Sequence, residues 1–169
     1  MNPDFAAGLR SFLLQACNGE VPATEKVVLA MPEGQMDYTP DAKSTPALKL
    51  AYHIVSSEIA FLEFCATGSM DRFMAPMPDD IKSGADVVAY RNANRPAAVA
   101  AVEAMSGDVL AQDRSFFGAF TYPAVVYLNW ANIHSIHHRG QLSAYLRSMG
   151  GKVPSIYGGS ADEPFQMPS

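Results

Sequence analysis

A chain of 169 residues, 49% hydrophobic and 17% charged, with a formal net charge of −5, is long enough to bury a core without disulfide staples and has the composition of an ordinary soluble globular protein. Its 12 lysines and arginines are scattered with no basic run, which argues against a nucleic-acid partner because nothing in the sequence would track a phosphate backbone. Nowhere do about 18 apolar residues run together without a charge, the minimum for a spanning helix, so the protein is not expected to be integral to a membrane.

The first residues, MNPDFAAGLRSFLLQAC, lack the basic leader, apolar stretch and small-residue cleavage site of a secretory signal. Cys17 and Cys65 lie far apart in apolar stretches, as buried reduced thiols do. Both features point to the cytoplasm. The length fits one domain spanning residues 1–169.

From Pro3 to Met31 the pattern is helical, with Leu9, Phe12, Leu13 and Ala16 on one stripe and Val27, Val28 and Met31 on a later one. Asn18-Gly19 followed by Pro22 predicts a helix in two pieces, because proline removes a donor and clashes with the preceding turn. Pro32, Gly34 and Pro40 then mark a loop to Lys43. Ser44 or Thr45 before Pro46 reads as a hydroxyl cap opening a second helix, in which Leu50, Ile54, Phe61 and Cys65 recur at helical spacing until Gly68.

Pro76 and Pro78 place a loop over Met74 to Ser83. A helical pattern resumes from Ala85 to Met105 through Val88, Ala98 and Val102, with Pro96 predicting a bend or a late start. Gly107 to Phe120 reads as an irregular connection. Thr121 and Pro123 then open a long helix that runs to Met149 and stops at Gly150-Gly151. The tail from Lys152 to Ser169, rich in proline and glycine, is expected to lie extended on the bundle. Four helical segments without a convincing alternating strand pattern predict an all-α four-helix bundle with long connections and negligible β content.

Three of the four histidines fall in the run Asn132-Ile-His-Ser-Ile-His-His-Arg-Gly-Gln141. His134 and His138 are four residues apart, so they share a helical face with Cβ atoms about 6 Å apart, a spacing that lets two imidazoles reach one metal ion. That stripe also carries Tyr127, Ala131, Leu142, Tyr145 and Met149 and should face the core. A pair of core histidines satisfied by hydrogen bonds is the competing reading. Buried imidazoles without partners cost about 1–3 kcal/mol each, a penalty that a metal removes. His53, in the middle of the second helix, is the candidate third ligand, and three neutral imidazoles with open positions suit zinc or a related late transition metal. His137 is rotated about 100° from His138 and is expected to flank the site. Arg139 and Gln141 could each orient a substrate or simply cover an exposed face.

The stretch from His134 through His137-His138-Arg139-Gly140-Gln141 to Tyr157-Gly158, together with Tyr38-Thr-Pro-Asp-Ala-Lys-Ser44 and Leu50-Ala-Tyr-His53 upstream, resembles the signature of the DinB/YfiT-like family, whose name refers to DNA-damage-inducible proteins and not to the polymerase. The resemblance covers nearly the whole chain. It implies a four-helix bundle of unusual connection order, often homodimeric, with a metal held by the residues matching His53, His134 and His138 and with zinc or nickel as the ion. The interrupted first helix would be a departure from the family pattern.

Function is less determined by the resemblance, because members include thiol-dependent S-transferases and a mycothiol-dependent maleylpyruvate isomerase. A metal-dependent transferase acting with a low-molecular-weight thiol or other small molecule is one expectation. Metal-assisted hydrolysis is a second; it needs a general base, and Glu58, the nearest acid in sequence, lies about 140° around the helix from His53. The third is a non-catalytic, metal-stabilised or ligand-sensing dimer.

Overall fold

The computed structural model describes residues 1–165. Four long helices form the bundle: α1 (Pro3–Leu29), α2 (Ala47–Thr67), α4 (Gly84–Glu103) and α6 (Val126–Ser148). Two short helices, α3 (Asp71–Met74) and α5 (Gly107–Ala111), and a hairpin of β1 (Asp113–Phe116) and β2 (Phe120–Pro123) lie in the connections. Helix α2 packs against α6 and α4, and α1 packs against the same two. The helices that follow one another along the chain, α1 and α2, therefore stand on a diagonal, and the long segment between them carries the chain across the end of the bundle. The all-α architecture expected from the helical patterns is the one found.

Helix α1 is continuous, contrary to the expected break at Gly19 and Pro22. Pro22 and Asn18, the residue whose carbonyl loses its helical partner to the proline, are both exposed, so water can take the freed acceptor and no buried group is orphaned. Pro96 in α4 repeats the arrangement: it and Asn92 are exposed, and the helix runs through without the expected late start. The buried side of α1 is Ala6, Leu13, Leu14, Cys17, Thr24, Val27 and Val28. Phe12, expected on the inner stripe, is 66% exposed.

The start of α2 also differs. Pro46 occupies the cap position and no side chain caps the helix, because the Ser44 hydroxyl donates to Asp41 Oδ2 at 2.7 Å instead. Its end is as expected: Gly68 adopts φ 79°, a left-handed conformation that closes helices at little cost for glycine. Arg114 reaches from β1 to donate to the terminal carbonyls of Cys65 (3.0 Å) and Ala66 (3.1 Å). A β-carbon on Gly68 would meet the Arg114 guanidinium at 2.7 Å.

The β-hairpin corrects the expectation of an irregular connection followed by a helix from Thr121; Thr121 and Pro123 lie in β2 and α6 opens at Val126. Ala119 N–H donates to Phe116 carbonyl across a turn in which Phe117 (φ 52°) and Gly118 (φ 70°) both have positive φ, the geometry that suits the twist of a tight hairpin. Tyr127 of α6 pins the hairpin by donating to Arg114 carbonyl at 2.8 Å.

One apolar core joins the four long helices, with Ile54, Ile59, Leu62, Leu128, Leu142 and Leu146 fully enclosed. Two arginines penetrate it. Arg91 of α4 pairs with Glu25, and Arg139 of α6 pairs with Glu20 at 2.7 Å; both partners belong to α1. The tail lies on the bundle: Tyr157 donates to Glu20 at 2.6 Å and its ring faces Arg139, while Asp162 pairs with Arg147 at 2.7 Å. The last four residues of the expected tail, 166–169, lie outside the described residues.

Candidate metal centre

Helices α2 and α6 share the most extensive packing in the bundle, and the site lies between them. The α6 core stripe of Tyr127, Ala131, Leu142, Tyr145 and Met149 is buried, which turns the His134–His138 face toward α2. Opposite, Leu50, Ile54, Phe61 and Cys65 anchor α2 and bring His53 up against the pair. The three rings converge, with centroids 4.9 Å apart for His53–His134, 4.7 Å for His53–His138 and 4.4 Å for His134–His138. One nitrogen from each lies within 4.8 Å of the other two. An ion holding imidazoles at about 2.1 Å in tetrahedral geometry places nitrogens about 3.4 Å apart, so the cluster is of the right dimension for a single ion.

Two further residues set the rings. Gln141 Oε1 lies 2.8 Å from His138 Nδ1, and Ser57 Oγ lies 3.1 Å from His53 Nδ1. An amide oxygen only accepts, so His138 Nδ1 carries the hydrogen and donates, leaving the Nε2 lone pair free. Ser57 serves His53 in the same way when Nε2 is its ligand nitrogen. Such partners orient metal-binding imidazoles and fix their tautomers. The sequence places Ser57 on the same side of the second helix as His53 but assigns it no role, although its place four residues on was a usable signal; Gln141 was singled out without a settled role.

The electrostatics favour neutral imidazoles. Burial, and then the neighbouring His138, His53 and His137, push His134 down to about 4. Burial and His138 also lower His53 from its ordinary value. Neutral rings present lone pairs without a proton to displace. His134 Nδ1 is buried with no hydrogen-bond partner, the kind of orphaned polar atom that a bound ion would satisfy. The donor set therefore fits a divalent transition metal.

The other residues fall outside the cluster. His137 is exposed, its ring 4.8 Å from that of His138. Arg139 does not cover an exposed face; it is 1% exposed and fastens α6 to α1. Glu58 points away from the histidines, paired with Arg95 at 2.7 Å beside a separate small cavity shared with Cys17 and Ser135. No carboxylate joins the histidine cluster among the described residues.

A cleft of about 550 Å³ opens beside the site, reaching His53 and His138 and bordered by Lys49, Tyr52, Arg72 and Met77. The arrangement offers three ligand nitrogens at the wall of a space large enough for a small molecule.

The family model of the DinB family matches residues 9–166. Among solved structures, the chain is similar to a DinB-like protein from Bacillus cereus, at 22% identity and a TM-score of 0.69, over 86% of this chain and 95% of that one. It is also similar to a DinB-like protein from Bacillus subtilis, at 22% identity and a TM-score of 0.65, over 87% of this chain and 96% of that one. These likenesses concern the fold. No curated protein matches the sequence.

Proposed function

The chain belongs to the DinB family, and we propose that it is a metal-dependent enzyme, a thiol-dependent S-transferase whose ion is held by His53, His134 and His138. The observation that carries the reading is the convergence of three nitrogens from two helices at the edge of a cleft. Among the described residues only three protein ligands are offered, which is the pattern of sites that keep a coordination position for a substrate. Zinc or nickel is the ion we assign, because imidazole nitrogen suits both.

When bound, a divalent ion at this place would lower the pKa of a thiol and hold its sulfur ready for an electrophile. The chain's own contributions are distinct. Gln141 accepts the Nδ1 hydrogen of His138, and Ser57 beside His53 Nδ1 can accept that ring's hydrogen, which would leave Nε2 of both rings for the ion. Phe61 packs edge-on against the His134 ring at 5.6 Å and keeps water from that side. The cleft confines the electrophile next to the sulfur.

The hydrolytic alternative needs a base, and Glu58 is committed to Arg95 on another face; that favours a reaction whose nucleophile the substrate itself brings. A second reading, a metal-stapled and non-catalytic protein, draws on the buried, partnerless Nδ1 of His134, since filling the site would then act mainly on stability. We further infer a homodimer in the cytoplasm, the latter from two buried free thiols. Among the described residues no helix is long and apolar enough to cross a membrane.

The test is to prepare the protein without a nickel column, measure its metal content, load it with cobalt(II) as a visible probe and titrate it with low-molecular-weight thiols. A sulfur-to-cobalt charge-transfer band, lost in His138→Ala, is the expected result. No band with any thiol tried, with the metal demonstrably bound, removes the thiol reading.

A further inference from the structure

We propose that the molecule taken up beside the three histidines carries an anionic group, a carboxylate or a phosphate, and that Lys49 is the residue that recognises it. The inference deepens the reading of the site as a metal-dependent one and rests on it. Three observations support it.

The first is the sign of the cleft. The protein carries five more negative than positive charges, yet among the described residues no aspartate or glutamate borders the cleft, whereas Lys49 and Arg72 both do. The second is that these two cations differ in how they are matched. Arg72 holds Glu63 with two nitrogens at 2.7 Å each and also donates to Tyr90, so its charge is balanced within the protein. Lys49 is exposed and forms no ion pair among the described residues. The third is position. Lys49 precedes His53 by four residues on α2, which sets the two Cβ atoms about 6 Å apart on one helical face, and both side chains border the same space.

Charge counting then gives the ligand class. A divalent ion on three neutral imidazoles keeps its full double charge, because no carboxylate joins the ligand set. Adding the unmatched ammonium leaves a cleft with an excess of positive charge, in walls that exclude part of the water and so strengthen its field. A neutral molecule gains less from that field than an anion does. A compact one that bears a donor atom for the metal and an anionic group a few bonds away satisfies both charges at once, and the flexible ammonium serves as a point charge for either anion.

The experiment compares thioglycolate with 2-mercaptoethanol, a small thiol bearing a carboxylate and a neutral one, titrated into the cobalt-loaded full-length protein, with acetate and inorganic phosphate titrated separately by calorimetry. The wild type should bind thioglycolate tighter by about tenfold or more, the size of a charge-assisted hydrogen bond. Lys49→Gln should bring the two thiols to within about threefold while cobalt affinity stays unchanged, and Lys26→Gln, in the last turn of α1 and not bordering the cleft, should keep the preference. Equal affinities in the wild type, or a preference that survives Lys49→Gln, overturn the proposal and leave the thiol reading standing. If neither thiol touches the metal, the thiol reading fails and calorimetry decides this one: acetate or phosphate binding that disappears in Lys49→Gln upholds it, and no binding of either anion overturns it.

Discussion

Gln141 Oε1 accepts a hydrogen bond from His138 Nδ1 at 2.8 Å, one helical turn further along α6, so the tautomer of a proposed ligand is set by a residue that never touches the ion. Replacing Gln141 with Ala should weaken metal binding by about 10–100-fold, the usual loss when such a partner is removed. Gln141→Glu keeps the acceptor and should restore most of the affinity. Competition against a chelating dye measures both; equal affinities for wild type and Gln141→Ala would show that the contact does not orient the ring.

Metal should also be visible in stability. An ion at a thousand times its Kd adds about 4 kcal/mol to the folded state, or about 10 °C in Tm for a protein of this size. Each of His53→Ala, His134→Ala and His138→Ala should forfeit most of that gain. Calorimetry with and without EDTA decides the matter, and a full gain in His53→Ala would mean that α2 supplies no ligand.

Arg139 is enclosed on α6 with Glu20 as its charge partner at 2.7 Å. Glu20→Ala would leave a buried guanidinium uncompensated and should cost about 3 kcal/mol. Urea unfolding gives the number, and a change below about 0.5 kcal/mol would mean that water or Tyr157 takes over from the carboxylate.

Gly68→Ala should destabilise by about 1–2 kcal/mol, since alanine resists the left-handed cap and its methyl would displace the Arg114 guanidinium from the end of α2. Combining it with Arg114→Ala separates the two causes: the backbone penalty persists and the clash disappears.

The thiols supply a pH test. Burial, reinforced at Cys17 by Glu58, raises Cys17 and Cys65 from 9.0 to about 12. Both should resist thiolate-directed reagents at pH 8 in the native protein and react fully after unfolding. Because the folded state holds these protons longer than the unfolded one, their contribution to stability is complete below pH 9 and fades as the pH rises toward 12. Cys17→Ala should flatten that alkaline loss; an unchanged slope would assign it to other groups.

Much of the site was readable because it is periodic. Four-residue spacing put His134 and His138 on one face, and Leu50 and Ile54 gave α2 its inward side, which brought His53 with it. The misjudged elements share a different cause. Pro22 and Pro96 act as breakers only where the freed carbonyl is buried, and their exposure is a property of the packed bundle. The hairpin hid behind Phe117, an aromatic residue at a turn position usually taken by Asn or Gly. Arg139 was ambiguous because its partner Glu20 comes from another helix, and a single helix carries no signal of such pairing; the angle of Glu58 already turned it from His53, but its partner Arg95 was equally without a signal. Ser57 was legible in principle, being one turn from His53.

The diagonal placement of α1 and α2 bears on when the centre can exist at all. His53 and His134 are about eighty residues apart in the chain, and α6, which supplies the second and third imidazoles, follows the other described helices in sequence. Contacts of that separation close late, after the loop entropy between them has been overcome. During synthesis the early helices therefore emerge with a lone histidine and no competence to trap an ion, and the complete chelate arises only as α6 docks. If the three histidines hold the ion as proposed, its capture waits on that docking, and binding kinetics in refolding experiments should report the docking of α6 rather than diffusion of the ion.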